Sequence, residues 1–448
     1  MSEEFKTVRI PFSGYESRSG GITWAQQSMW NWIRSDTGGV NLDLCFSDSV
    51  QEAQVDVFIS AIEHLISRCE ALRTSFFVDV GGRVVQQVAD RGSVEILHHE
   101  VRPEDASGAV LELSEYLSRA MIDVCEEPPI RLGFISSSGL VKHVIFVVSR
   151  LVADGGGCDH LILLLKDALS EGRRFSTHRN FHQIDQYEWE SSENGDRARV
   201  RSLAHARAQI ERYMSQAQPI PPLHVKNDGV MLTATVTSTK MKERGEYLAH
   251  EFRVSSSAVI LAAFCRALTG IFECDRVPLF LHCSNRFDDV RRSSVTRLKS
   301  LAIYVHQSSD GEFKESLMSV YRESLASYVN AQIPEADFES VVKSTEASRE
   351  YVADFFHYND RRSVIASPIP HPGVPMERGG DAEQVVEIVS PLEQSQPYPS
   401  FTLYVDHARD PDAVTLAVNT NLLSLKGISR FFREMGEILE EAVDTARR

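Results

Sequence analysis

The stretch SRLVADGGG, Ser149 to Gly157, follows directly on the apolar run HVIFVV. It sets a hydroxyl, a guanidinium, a carboxylate and three glycines together in one short turn. A serine attacks a carbonyl only when a base stands within about 3 Å, and nothing in the sequence sets a base beside Ser149. Arg150 cannot be that base: a guanidinium carries five donors, no acceptor and a permanent charge. It can donate hydrogen bonds to a developing oxyanion, which is often a large catalytic contribution. Asp154 can act as an acid–base group or as a buried ion-pair partner. Gly155, Gly156 and Gly157 permit unusual backbone angles and leave space at a helix start, where exposed N–H groups could cradle an anion. The alternative reading of the same glycines is a loosened turn.

Other residues with possible chemistry lie nearby. Cys158 follows the glycines, and a buried inert thiol is its expected state. His143 shares strand parity with Ser149, and His160 falls in the first turn of the next helix. Both read as packed or surface histidines. No His, Cys, Asp or Glu cluster has a metal-ligand spacing, so no metal is expected.

These residues need elements to hold them. HVIFVV reads as a strand, paired with IRLGFISS (130–137) through a turn at Gly139. CDHLILLLKDAL reads as a helix with Leu161, Leu164, Leu165 and Ala168 on one face. Upstream, helices are expected at 22–34, 51–69 and 109–124, with a hairpin turning at Gly81–Gly82. Downstream come a long helix at 196–216, a proline cluster AQPIPPL that forbids helix, an apolar helix with serines available to cap it (VSSSAVILAAFCRALTGIF) and strands at VPLFLHC and LAIYVHQ. Helices at 312–330 and 335–345, a short strand DFFHYND, a long loop at 361–382, paired strands SFTLYVDH and AVTLAVNTN and a terminal helix at 424–446 complete the chain. The expected division is into residues 1–180, carrying SRLVADG, and 181–448.

The 448 residues are 42% hydrophobic and 25% charged, the balance of a globular protein. A formal charge of -16 argues against nucleic acid as a bulk partner. No apolar run approaches the ~20 residues of a membrane span, and the N-terminus lacks the apolar region of a signal peptide. Seven cysteines without CxxC pairing point to a reduced, cytoplasmic protein.

A series of motifs, in order, resembles the condensation domains of nonribosomal peptide synthetases, in the chloramphenicol-acetyltransferase-like superfamily. ITWAQQSMW is similar to the opening S-x-A-Q-x-R-M/L-W. RCEALRTSF (68–76) is close to R-H-E-x-L-R-T-x-F. SRLVADG occupies the place of H-H-x-x-x-D-G. QIDQYEW (183–189), SNRFD and LAIYVHQ resemble the later motifs, and AVNTNLLSLKGISRFFREMGEIL the closing strand and helix.

The resemblance implies an α/β (α+β) fold of two chloramphenicol-acetyltransferase-like lobes in a V, with a tunnel between them. It implies acyl or peptidyl carrier proteins as partners, delivering groups on phosphopantetheine arms, with no other bound cofactor, and no nucleic acid or membrane partner. The family's second histidine is its reactive residue; Arg150 stands there, and Ser149 stands at the first. Asp154 is implied to be structural and paired with an arginine: Arg73 first, then Arg68 and Arg286. His306 stands where the family has an asparagine, on a strand expected to line the tunnel, which makes it a substitute base. The basic stretches that hold Arg173, Arg174, Arg179 and Arg201 are candidate carrier contacts, or else solvated faces.

Two readings of function follow from the resemblance. In the first, a free-standing condensation-like protein of secondary metabolism processes a carrier-bound acyl or aminoacyl group, with Arg150, Ser149 and His306 as its catalytic candidates. In the second, it is a non-catalytic module that recruits a tailoring enzyme or carrier, since recruiting members of the family also carry arginine at the second position. A CoA-dependent small-molecule acyltransferase is a third reading.

Overall fold

A computed structural model describes residues 5–14, 16–34, 41–170, 181–215, 230–309, 311–345, 355–362, 367–368, 385–389, 400–405 and 413–448. In the first half of the chain the elements are β1 (Lys6–Ser13), β2 (Arg18–Gly21), α1 (Trp24–Arg34), β3 (Leu44–Gln54), α2 (Val55–Arg68), β4 (Thr74–Val78), β5 (Val84–Val88), β6 (Arg91–Glu100), α3 (Ala106–Ser118), β7 (Ile130–Ser137), β8 (Leu140–Val148), α4 (Gly155–Ser170) and α5 (Gln183–Glu190). They continue with α6 (Glu193–Met214), β9 (Met231–Thr237), α7 (Thr239–Phe252), α8 (Ser256–Phe272), β10 (Arg276–Cys283), α9 (Asp289–Arg292), β11 (Ser300–Gln307), α10 (Phe313–Val329), α11 (Glu335–Ser344), β12 (Phe356–Asp360), β13 (Ser367–Pro368), β14 (Val385–Val389), β15 (Phe401–Val405), β16 (Ala413–Asn419) and α12 (Leu425–Arg447).

The chain forms two compact units. The first comprises Met1–Asp196, Arg286–Lys299 and Val364–His371. Its six-stranded sheet has the order β1-β6-β7-β8-β3-β13, and a three-stranded sheet, β2-β5-β4, accompanies it. Strand β7 shows why both faces of the larger sheet are apolar. Phe134 meets Phe58 of α2, with ring centroids 4.9 Å apart. Its neighbour Gly133 points the other way, where an added Cβ would lie 2.8 Å from Leu113 of α3. Side chains alternate across a strand, so helices cover both faces and β7 and β8 are buried almost throughout.

The second unit comprises Arg197–Asn285, Ser300–Ser363 and Pro372–Arg448. Its seven-stranded sheet has the order β11-β10-β12-β15-β16-β9-β14. Helix α8 is apolar nearly all round, as a fully buried helix should be, and packs among α7, α10 and α12. Ala302 and Tyr304 of β11 face this helical layer, while Ile303 and Val305 face Ala206, Ile210 and Tyr213 of α6. Ser255 accepts the Ala258 N–H at 3.2 Å and caps α8.

Several sequence expectations shift. The helix expected at 51–69 begins only at Val55, because 51–54 extend β3. The helix expected to reach 124 ends at Ser118, where Arg131 donates to the carbonyls of Leu117 and Ala120. The division at 180/181 cuts off α5, which is tied into the first unit. Gln183 Nε2 donates to Thr74 Oγ1 at 2.7 Å, Asp185 pairs with Arg18 at 2.8 Å, and Glu190 accepts the Trp24 N–H at 2.7 Å. Composition along the chain does not reveal such distant partners. The proline cluster and most of the 361–382 loop lie outside the described residues. Among the described residues, no single helix is long and apolar enough to cross a membrane.

Candidate active site

Strand β8 ends at Val148 and the chain turns at once. The Ser149 carbonyl accepts the N–H groups of Val152 (3.0 Å) and Ala153 (3.3 Å). The Ser149 hydroxyl is buried and accepts the Leu151 N–H at 3.3 Å. Leu151, Val152 and Ala153 are buried, so the three residues between Arg150 and Asp154 anchor the turn in the core.

Asp154 caps α4, accepting the Gly157 N–H at 2.9 Å. Its carboxylate also meets Arg286 through both terminal nitrogens, at 3.0 and 2.8 Å. The N–H groups of Leu298 (2.8 Å) and Lys299 (2.7 Å) complete the cage. Burial alone would raise the pKa of this carboxyl; the Arg286 guanidinium and the N–H donors outweigh it and hold it below the usual aspartate value. An aspartate so surrounded has no lone pair left for proton transfer.

Arg286, third among the sequence candidates, is therefore the partner of Asp154. Arg73, the first, closes a buried 3₁₀ turn (Glu70–Arg73), where its guanidinium donates to the Ala89 carbonyl and lies against Gly14. Arg68 ends α2. Arg286 arrives through Asn285, whose backbone is left-handed (φ 54°), and also donates to the Thr296 carbonyl at 2.8 Å.

Gly156 and Gly157 are close-packed, not loosened. An added Cβ on Gly156 would lie 3.1 Å from the Arg286 guanidinium, and one on Gly157 would lie 2.9 Å from the Thr296 carbonyl oxygen. The Gly157 N–H already serves Asp154. The space expected behind the turn is filled by residues 286–297.

Sequence reasoning missed Arg297. It is buried, donating from Nε to the Ala25 carbonyl (2.9 Å) and from a terminal nitrogen to the Arg150 carbonyl (3.2 Å). Burial pulls its pKa down to about 10, Arg150 pulls the same way, and Asp154 opposes. It also missed Asp43, a lone carboxylate in the apolar stretch NLDLCF. Burial pushes Asp43 up to about 6, against the Ile122 N–H, Arg131 and Arg150. A third omission, in the second unit, is a ring pair: His282 Nε2 lies 3.0 Å from His357 Nδ1. Residues 75 positions apart carry no local signal of such pairing.

The remaining candidates separate. Cys158 is buried, and burial raises its thiol well above the ordinary value. Burial depresses His143 and His160, the latter with Arg286 acting in the same direction. His306 belongs to β11 in the second unit, on the same face as Ala302 and Tyr304. That face packs onto the unit's own core, contrary to the expected tunnel lining. Its Nδ1 lies 3.2 Å from the Tyr304 hydroxyl, and burial lowers its pKa to about 4. Arg201 sits on α6 and donates to Asn330 Oδ1 at 3.0 Å. Arg173, Arg174 and Arg179 lie outside the described residues.

The sequence profile of the Condensation domain matches residues 22–447. The chain belongs to the condensation-domain family. No curated protein sequence matches it. Among solved structures it is similar to the condensation domain that mediates chain release from the enacyloxin polyketide synthase (14% identity, TM-score 0.69, 95% of this chain and 83% of that one). It is also similar to the first condensation domain of the CDA synthetase (14% identity, TM-score 0.67, 94% and 96%). SgcC5 from Streptomyces globisporus is a third (14% identity, TM-score 0.65, 95% and 99%). At these identities the likeness establishes the mixed α/β, chloramphenicol-acetyltransferase-like fold. Within this condensation domain, Ser149 and Arg150 head a turn whose Asp154 end is fully tied.

Proposed function

We propose that this condensation-domain protein processes an acyl or aminoacyl group held as a thioester on the phosphopantetheine arm of an acyl or peptidyl carrier protein. It transfers that group to a nucleophile without a general base on its SRLVADG turn. In the reaction an amine that arrives deprotonated attacks the thioester carbonyl. The C–N bond forms, the C–S bond breaks, and the proton shed by nitrogen leaves with the thiolate as thiol. Arg150 stabilises the oxyanion between these steps. Losing a general base forfeits about 10²–10⁴-fold in rate, while positioning and oxyanion stabilisation remain available.

The observation that carries this reading is the Asp154 cage. Five donor contacts hold the turn, and Arg297 pins the Arg150 carbonyl. A carboxylate tied at this many points favours a turn kept for use. The recruiting reading draws support from a different observation: Ser149 is buried and Arg150 lies in the field of an internal acid, Asp43. Carrier proteins encoded beside this protein, loaded with candidate acyl groups and mixed with it, separate the two by intact mass. A transferred group supports the enzyme. A stable complex without a new product supports the recruiter and ends the transfer reading.

A further inference from the structure

Arg297 is a buried cation that no carboxylate touches among the described residues. Its guanidinium meets two acceptors there, both carbonyl oxygens: that of Ala25 from Nε at 2.9 Å and that of Arg150 from one terminal nitrogen at 3.2 Å. The second terminal nitrogen has no acceptor among the described residues, yet it is not sealed from solvent as Arg73 Nε is. Of the five N–H groups that an arginine carries, two are spent and the others are open.

Other arginines of the molecule show what Arg297 lacks. Arg18 meets Glu70 (3.3 Å), Asp185 (2.8 Å) and Glu188 (3.3 Å), and Arg362 meets Asp360 at 2.6 Å. Burial opposes the charge of both, the carboxylates outweigh it, and both are raised in pKa. Arg73 is buried too, but Glu70 and Asp90 act on it and its guanidinium lies against Gly14. At Arg297 burial prevails, and Arg150 adds to it. The acid that acts on Arg297 is Asp154, and both oxygens of Asp154 are already taken by Arg286.

A buried charge without a counter-charge is costly, and groups perturbed in this way gather at functional sites. The two carbonyl contacts fix the plane of the Arg297 guanidinium. Its open N–H groups lie in that plane, an arrangement that a planar carboxylate accepts as a forked pair. Asp154, which accepts the N–H of the next residue, Leu298, already makes such a pair with Arg286.

We propose that Arg297 binds a carboxylate carried by the acceptor, the molecule whose nucleophile receives the acyl group. This names the acceptor class of the transfer reading and rests on that reading; the anion site itself stands apart. An acceptor joined to a carrier through its carboxyl has no free carboxylate at that end. The acceptor is therefore a small amine that bears a free carboxylate. One guanidinium holds both this carboxylate and the Arg150 carbonyl, which places the acceptor at the head of the SRLVADG turn.

The experiment titrates the whole protein with acetate, as a bare carboxylate, against acetamide, chloride and inorganic phosphate at constant ionic strength. It follows the ¹⁵Nε resonance of Arg297, assigned by its loss in Arg297→Lys. Acetate should shift it saturably in the millimolar range, and acetamide and chloride should not. A resonance that acetate leaves unmoved overturns the site. A shift by phosphate with none by acetate overturns the carboxylate. In the carrier assay, amines that carry a carboxylate should exceed their primary amides by about tenfold or more in kcat/KM, mainly through KM. That comparison is made on the parent and does not need a variant to fold. Arg297→Gln should abolish the preference and Arg297→Lys keep part of it, with melting temperatures recorded on the same samples. Transfer by the parent at equal kcat/KM to carboxylates and amides overturns the acceptor assignment and leaves the transfer reading standing. Saturable acetate binding without transfer upholds the site and removes the transfer reading instead.

Discussion

Asp154 and Glu190 are both buried carboxylates of the first unit, and their surroundings treat them in opposite ways. Asp154 meets a bidentate guanidinium and three backbone N–H groups. Glu190 meets neutral donors, the Trp24 N–H at 2.7 Å and Gln186 Nε2 at 2.9 Å. Burial opposes charge in both. At Asp154 the partners win and the pKa falls; at Glu190 burial wins and the pKa rises to about 7. A cation in direct contact makes the difference. Asp154 is therefore fixed in charge across the physiological range, while Glu190 is poised to change it.

The largest effect should come from Asp154→Ala. It leaves the Arg286 guanidinium buried without its carboxylate, a one-sided break of a buried pair that typically destabilises by about 3–5 kcal/mol. Denaturant unfolding should show this loss. A variant as stable as the parent would break the contrast at its stronger end.

Glu190 should show itself as a slope. The protonated form is the one burial favours, so its contribution is full below the ordinary glutamate value of 4.5, declines as pH rises, and levels off above about 7. Each tenfold change in proton affinity is worth ~1.4 kcal/mol, so the whole contribution is about 3 kcal/mol. Stability measured from about pH 4.5 to 7.5 should fall accordingly in the parent, and Glu190→Gln should flatten the fall. An unchanged slope in Glu190→Gln would assign the titration elsewhere.

Smaller effects test the packing behind the turn. Gly157→Ala drives a methyl against the Thr296 carbonyl backbone at 2.9 Å, and overpacking of this kind costs about 1–3 kcal/mol. Gly156→Ala meets only the end of the Arg286 side chain at 3.1 Å. The Arg286 guanidinium is held by Asp154 and the Thr296 carbonyl, so this contact should also cost stability, but less than the clash with backbone at Gly157. Equal losses at the two positions would show that residues 286–297 do not back the turn as described.

The parts of this site that are legible in the sequence are the local ones. Turn glycines, the serine that caps α8 and the alternation along β8 each act over a few residues, and motif order indicates the family. Partners across the fold are not legible. Arg286 reaches Asp154 over 132 positions, and Arg297 reaches Arg150 over 147. Arg73, first in line by motif proximity, is held by its own turn and the Ala89 carbonyl. His306 departs from its expected place because strand parity alone does not say which face a helical layer covers. The three glycines read as empty space because nothing local reveals the guanidinium that lies on Gly156.

Single-turnover transfer by Arg150 variants tests the central claim most directly, with melting temperature and carrier affinity recorded on the same samples. The account predicts that Arg150→Lys keeps the fold and the carrier affinity but loses most of the turnover, because an ammonium keeps the charge and loses the fork. Arg150→Ala should lose turnover further without large destabilisation. An Arg150→Ala protein that folds, binds and transfers like the parent would contradict the account and leave SRLVADGGG as an ordinary turn.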